Sequence, residues 1–175
     1  MEFINIEPDN IKVELFSNFK RYQKVTKCWR KIEGQWVIKD IAFTEEWGIE
    51  EYKILSSCLK NTVETGGMVM GAFSDGILKG FVSVEAGLFG ENKEYLDLSS
   101  IHVSLDMRGN GIGKELFRLS KKWAKEHGAK KLYISAHSSV ETQAFYKAMG
   151  CVEAEEYSQK HIDREPFDCQ LECKV

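Results

Sequence analysis

Apolar positions follow a mostly helical rhythm in the first third of this chain and a rhythm of short strands after Gly66-Gly67. Phe3 to Ile6 reads as a short strand. Ile11, Leu15, Phe16 and Phe19 recur at helical spacing, which predicts a helix over Asn10–Lys24 that starts near Asp9. Trp29–Ile32 and Trp36–Ile38 flank Glu33-Gly34-Gln35, the pattern of a hairpin or an irregular aromatic loop. Ile49, Tyr52, Leu55, Leu59 and Val63 share one face of a second helix over Trp47–Val63. Beyond the paired glycines, Met68–Phe73 and Ile77–Val84 are predicted strands joined by Ser74-Asp75-Gly76, a turn in which glycine supplies positive φ. A loop over Gly87–Asn92 leads to an apolar run from Tyr95 to Leu105. Ile112, Leu116, Leu119 and Trp123 define a helix to His127, with Gly128 as its C′ residue. Lys131–Ala136 is the next strand. Ser138-Ser139-Val140-Glu141 has capping-box spacing and opens a helix carrying Phe145 and Tyr146, which Gly150 ends. Late strands are expected around Val152–Tyr157 and Phe167–Val175.

Helices, a strand meander, then strand–helix–strand–helix–strand–strand suit an α/β (α+β) domain in three layers. The unit from Tyr95 to Ala136 should be a right-handed parallel crossover. With 175 residues, 43% of them hydrophobic, the chain suffices for one well-buried domain and is short for two. Twenty-four basic against 27 acidic residues leave a formal charge of −3, without the basic excess of a nucleic-acid binder. The five cysteines are odd in number and form no Cys-x-x-Cys pair, so reduced thiols, a cytoplasmic location and no metal are expected. No apolar stretch has the length of a membrane span, and no signal peptide is legible.

The chemistry concentrates in Arg108-Gly109-Asn110-Gly111-Ile112-Gly113, between a predicted strand and a predicted helix. Such a turn gathers free backbone N–H groups and the positive helix end at one spot, which makes an anion site. Its glycines admit close approach, and Arg108 adds a fixed charge. The Gly-x-x-x-x-Gly-Lys-Ser/Thr phosphate loop is absent. A dinucleotide fold would place its glycines after the first strand, whereas here the turn follows a meander.

A second motif lies about thirty residues downstream, Ser135 to Cys151, with Phe145-Tyr146 and Gly150 near its end. With it, the chain closely resembles the GNAT superfamily of acetyl-CoA-dependent N-acetyltransferases. Arg108, Gly111 and Gly113 match the family's Arg/Gln-x-x-Gly-x-Gly/Ala turn, and Phe145, Tyr146 and Gly150 match its Phe-Tyr-x-x-x-Gly ending. The resemblance covers about the last 110 residues. It implies one domain over 1–175, in which 67–175 is the acetyl-CoA-binding core and 1–66 a variable acceptor side. It also implies a mixed, mostly antiparallel sheet whose parallel strand pair splays apart. Backbone amides of Arg108, Gly109, Asn110, Gly111, Ile112, Gly113 and Lys114 would hold the coenzyme A pyrophosphate. Backbone at Ile101, His102 and Val103 would pair with the pantetheine arm and polarise the thioester carbonyl. Tyr146 takes the family's general-acid position, protonating the departing thiolate. Ser139 and Thr142 stand where many members carry Asn and a small residue, and would contact the cofactor through hydroxyls.

The attacking amine also needs a base, acting directly or through water. By spacing upstream of Arg108, Asp97 occupies the position where some members place a catalytic Glu; Glu85 and His137 are rivals. On a regular strand, Asp97, Ser99, Ile101 and Val103 share a face, with His102 opposite as a structural histidine, and a bulge would break that parity. Trp29, Trp36 and Trp47 are candidates to line the acceptor site. The expected reaction is direct acetyl transfer from acetyl-CoA to a primary amine of a small molecule or peptide. No nucleic-acid or membrane partner is expected, and a homodimer is compatible with exposed late strands. The alternative is a non-catalytic module that binds or senses an acyl-CoA. The acceptor and the acyl-chain length stay open at this point.

Overall fold

The computed structural model describes all 175 residues. Strands β1 (Glu2–Asn5), β4 (Met68–Ser74), β5 (Ile77–Val84), β6 (Tyr95–Val103), β7 (Lys131–Ala136), β8 (Val152–Glu153) and β9 (Cys169–Lys174) form one sheet. Their order is β1-β4-β5-β6-β7-β9-β8, and only β6 and β7 run parallel, joined by a crossover through α2 (Ile112–Glu126). β2 (Tyr22–Ile32) and β3 (Gln35–Glu46) form a separate long hairpin. Helices α1 (Ile49–Glu64), α3 (Val140–Ala148) and α4 (Gln159–Arg164) complete the chain.

Alternation along β4 and β5 produces the three layers. Val69, Leu78 and Phe81 face α1, where they meet Tyr52, Leu55 and Leu59 in one apolar cluster. Ala72, Val82 and Val84 face the other way and pack with Ile112 and Leu116 of α2. Gly80 sits where α2 comes closest: a Cβ there would lie 2.8 Å from Ile112 Cγ2 and 3.1 Å from Leu116 Cδ1. The start of α2 is thus pressed onto β5, which fixes the turn just before it.

The helix expected over Asn10–Lys24 does not form. Two short 3-10 turns, Pro8–Asn10 and Val13–Phe16, bury Ile11, Phe16 and Phe19 under α1 instead, and β2 takes the chain from Tyr22. Helix-like spacing reflected three anchors into one cluster, and a string of turns reaches that cluster as well as a helix does. The late strand expected at Val152–Tyr157 shrinks to two residues and α4 follows it. Helix α3 is capped by Ser139, whose Oγ accepts from Thr142 N (3.2 Å), so Ser138 and Glu141 do not form the expected box.

The root of the parallel pair is held by a buried polar cluster. Tyr95 Oη donates to Glu172 Oε2 (2.5 Å), and Lys131 Nζ lies 2.8 Å from Glu172 Oε1. Burial opposes the charge on Glu172, but its bonds from Lys131 and Tyr95 hold the carboxyl below its ordinary range. Replacing Lys131 by Met would leave this carboxylate buried without its cation. That change should cost about 3–5 kcal/mol, read as a drop of roughly 10 °C in Tm. An unchanged Tm would show that the cluster does not hold the root.

Candidate functional site

Past this root the sheet opens. Pairing between β6 and β7 covers Tyr95↔Lys131, Leu96↔Leu132 and Asp97↔Tyr133 and then stops, while β7 continues against β9 and β6 against β5. Between β5 and β6 the register slips, from Ser83↔Ser100 to Val84↔Leu98, so Ser99 is the extra residue of a bulge. The bulge reverses the side-chain parity expected for a regular strand. Ile101 and Val103 join Leu96 and Leu98 on the α2 face, and His102 packs on Phe81 on the α1 face, the face that also carries Asp97. The backbone follows. Ser104 N donates to Lys79 O (2.8 Å), and antiparallel bonding alternates along the strand. The amides of Ile101 and Val103 therefore point away from β5, toward the edge that β7 has left.

That edge borders a cleft of about 790 Å³ lined on one side by Leu98 to Val103, on the other by Ser135, Ala136 and His137. At one end lies the glycine turn. Gly109 and Gly111 have φ of +80° and +78°, and Gly111 is the N-cap of α2. No backbone N–H from Gly109 to Lys114 donates to an acceptor in the chain; the first helical bond is Glu115 N to Gly111 O (3.1 Å). Asn110 Nδ2 braces the turn through Met107 O (3.2 Å) and Arg108 O (3.3 Å). Arg108 Nε donates to Val103 O (3.3 Å), which ties the turn to the end of β6. Six free amides, a helix N-terminus and Arg108 form a cradle for an anion beside an unpaired strand edge.

Tyr146, on α3, lines the same cleft and packs among Phe117 and Phe145. Its hydroxyl makes no hydrogen bond within the chain, and burial, then the charges of Cys151 and Asp168, push the phenol well above its ordinary value. Asp168 also lines the cleft, just before β9. Its Oδ2 accepts from Ser135 Oγ (3.1 Å), and burial raises its carboxyl above the usual range. The sequence reading did not single out Asp168. No motif surrounds it, and only the pairing of β7 with β9 brings it beside Ser135.

The three bases considered from sequence lie elsewhere or are engaged. Asp97 is outside the cleft lining and pairs through Oδ2 with His161 Nε2 of α4 (2.9 Å). Glu85 is also outside it and accepts from Thr62 Oγ1 (2.8 Å) and Ser99 Oγ (2.6 Å). His137 lines the cleft, but its Nδ1 accepts from Ser139 N (3.1 Å). Of the two hydroxyl candidates, Thr142 lines the cleft. Ser139 is fully buried, caps α3 and accepts from Gln23 Nε2 (3.1 Å) of β2. The Asn110 side chain and Ser139 are therefore supports of the cleft rather than part of its lining.

The N-terminal region closes the remaining side through Arg21, Gln23, Lys24, Glu45 and Trp47. Trp47 stacks edge-on to His102 at 4.9 Å, whereas Trp36 turns away to donate to Glu153 Oε2 (3.1 Å) and Trp29 is outside the lining. The His102 imidazole is pushed down to about 3, first by burial and then by the charges of Arg21 and Arg108. It is neutral at physiological pH, and its Nδ1 accepts from Arg21 Nε (3.2 Å). No helix is long and apolar enough to cross a membrane.

Comparison with known proteins agrees with this architecture. The model of the acetyltransferase (GNAT) family matches residues 32–151. No curated protein matches the chain. Among solved structures, one assigned as a streptothricin acetyltransferase from Bacillus anthracis, in complex with acetyl coenzyme A, has a TM-score of 0.71 at 15% identity, covering 100% of this chain and 99% of that one. Nourseothricin acetyltransferase gives 0.65 at 16% identity, covering 98% and 95%. PaiA N-acetyltransferase from Thermoplasma acidophilum, in complex with coenzyme A, gives 0.62 at 13%, covering 99% and 98%. At these identities the likeness is one of fold.

Proposed function

The chain belongs to the acetyltransferase (GNAT) family, and from that premise we propose that it transfers acetyl from acetyl-CoA directly to a primary amine. The observation that carries this reading is a continuous cleft joining the free amides of Gly109–Lys114, the unpaired edge of Ile101–Val103 and Tyr146. In the proposal the turn and Arg108 hold the pyrophosphate of coenzyme A, as the acetyl-CoA and coenzyme A complexes of similar folds support. The edge amides pair with the pantetheine arm and donate to the thioester oxygen as negative charge develops on it. The amine nitrogen attacks the carbonyl carbon, the C–S bond breaks, and the electron pair leaves on sulfur. Tyr146, kept protonated by its raised pKa, gives its proton to that sulfur.

Asp168 replaces Asp97 as the proposed base, taking up the proton that the amine nitrogen loses on attack, because it lines the cleft and Asp97 does not. Its position is supported by its charge acting on Tyr146. A raised carboxyl pKa makes Asp168 a stronger base but protonates it sooner as pH falls. The kcat profile should therefore fall on the acid side at a pH above the ordinary aspartate value of about 3.9. Asp168→Asn should lower kcat by about 10²-fold and remove that limb. An unaltered profile would return the base role to water.

Calorimetric titration with acetyl-CoA tests the reading as a whole. One site per chain is expected, and no binding at millimolar ligand would remove its basis. Thiol release that depends on an added amine separates the enzyme from an acyl-CoA-sensing module.

A further inference from the structure

Arg21 is the one basic side chain of the cleft that is buried while a guanidinium nitrogen lacks a partner. Its backbone is pinned on both sides: its N–H donates to Tyr52 Oη (3.1 Å), and its carbonyl accepts from Trp47 N (3.0 Å). The side chain is 9% exposed and lies over the Trp47 ring, 5.3 Å from its centroid. Nη2 donates to Glu45 Oε2 (2.8 Å) and Nε to His102 Nδ1 (3.2 Å). Nη1 is buried and has no acceptor.

A buried N–H without an acceptor is costly, and a guanidinium offers its donors in a planar fork that suits carboxylate oxygens. Glu141, Glu165 and Asp168 also line the cleft, but none of them pairs with Arg21. Glu45 is the single carboxylate on Arg21. Arg108, also in the lining, is close enough for the charge of Arg21 to act on its guanidinium, and it has no carboxylate partner. Nearby Asp106 is taken by Lys79 at 2.6 Å. His102 accepts from Arg21 and, being neutral, adds no negative charge. Arg21 is rigid, desolvated and undercompensated.

We propose that Arg21 binds a carboxylate on the acceptor, so that the amine acetylated here belongs to an amino acid or another amine bearing an acid group. This rests on the acetyl-transfer reading and narrows its acceptor. A polyamine or polycationic antibiotic would bring positive charge against Arg21.

The test is thiol release from acetyl-CoA with matched acceptor pairs, free amino acids against the corresponding amino acid amides, and with a polyamine. The wild-type protein should favour the acids by about 10- to 100-fold in kcat/KM, the range expected of a charged hydrogen bond. Arg21→Gln should erase that preference through the acceptor KM and leave the KM for acetyl-CoA unchanged. Arg21→Lys, which keeps the charge and loses the fork, should fall between. Wild-type indifference between acid and amide, or preference for the polyamine, overturns the proposal without any variant having to fold. A raised acetyl-CoA KM in Arg21→Gln would assign Arg21 to the cofactor's phosphates and overturn it too. Turnover with amides alone sinks the carboxylate site and spares the acetyltransferase, whereas no thiol release from any amine sinks both.

Discussion

Replacing Tyr146 by phenylalanine should lower kcat by about 10²- to 10⁴-fold, the usual worth of a positioned general acid, while Tm and acetyl-CoA affinity hold. The contrast follows from the hydroxyl's surroundings. The ring is packed against Phe117 and Phe145, and phenylalanine preserves that packing. The hydroxyl makes no hydrogen bond within the chain, so its removal breaks none. Burial and the charge of Asp168 keep the phenol protonated throughout the working range, as an acid must be. A packing role would give the opposite pattern, with stability altered and kcat intact. Stopped-flow thiol release at saturating substrates, beside a thermal melt, distinguishes the two.

The second large effect should come from the glycine turn. In the double variant Gly109→Val/Gly111→Val, the acetyl-CoA Kd should rise by about 30- to 1000-fold, from roughly 1–2 kcal/mol for each L residue forced to positive φ. The added Cβ meets no steric barrier at either position, because it has nothing within 4 Å. The cost therefore falls on the conformation itself. With φ near +80° disfavoured, the turn relaxes and its amides no longer converge. Core packing lies elsewhere, at Ile112 and Leu116 against Gly80, so the fold should survive. Calorimetry on the folded variant reads the effect, and an unchanged Kd would mean that the turn is not the anchor.

Much of this site was legible in the sequence because its parts are local. A strand, a glycine turn and an amphipathic helix in succession dictate free amides at the helix start whatever the rest of the chain does. The Phe145-Tyr146 pair likewise sits on a helix whose end Gly150 marks. The strands of the meander were found because Val69, Leu78 and Phe81 alternate with Ala72, Val82 and Val84 between two apolar layers.

What sequence spacing missed is non-local. The bulge at Ser99 exists in the pairing of β6 with β5, and nothing in Leu98-Ser99-Ser100 announces it. Yet it sends Asp97 toward α4 while turning Ile101 and Val103 toward α2. Asp168 is distant in sequence from Tyr146 and reaches the cleft only through β7–β9 pairing. Arg21 was hidden by the helix expected over Asn10–Lys24. Only with those residues in short turns and a strand does its side chain reach Glu45 and His102.

The central claim is that one cleft brings acetyl-CoA and an amine together for direct transfer. Initial-rate kinetics over a grid of acetyl-CoA and amine concentrations test it most directly, with thiol release as the readout. Direct attack in a ternary complex predicts double-reciprocal lines that intersect, with CoA release absolutely dependent on the amine. Parallel lines would place the acetyl group on the protein between two half-reactions, and CoA release indifferent to amine would leave no transfer to explain; either result contradicts the account.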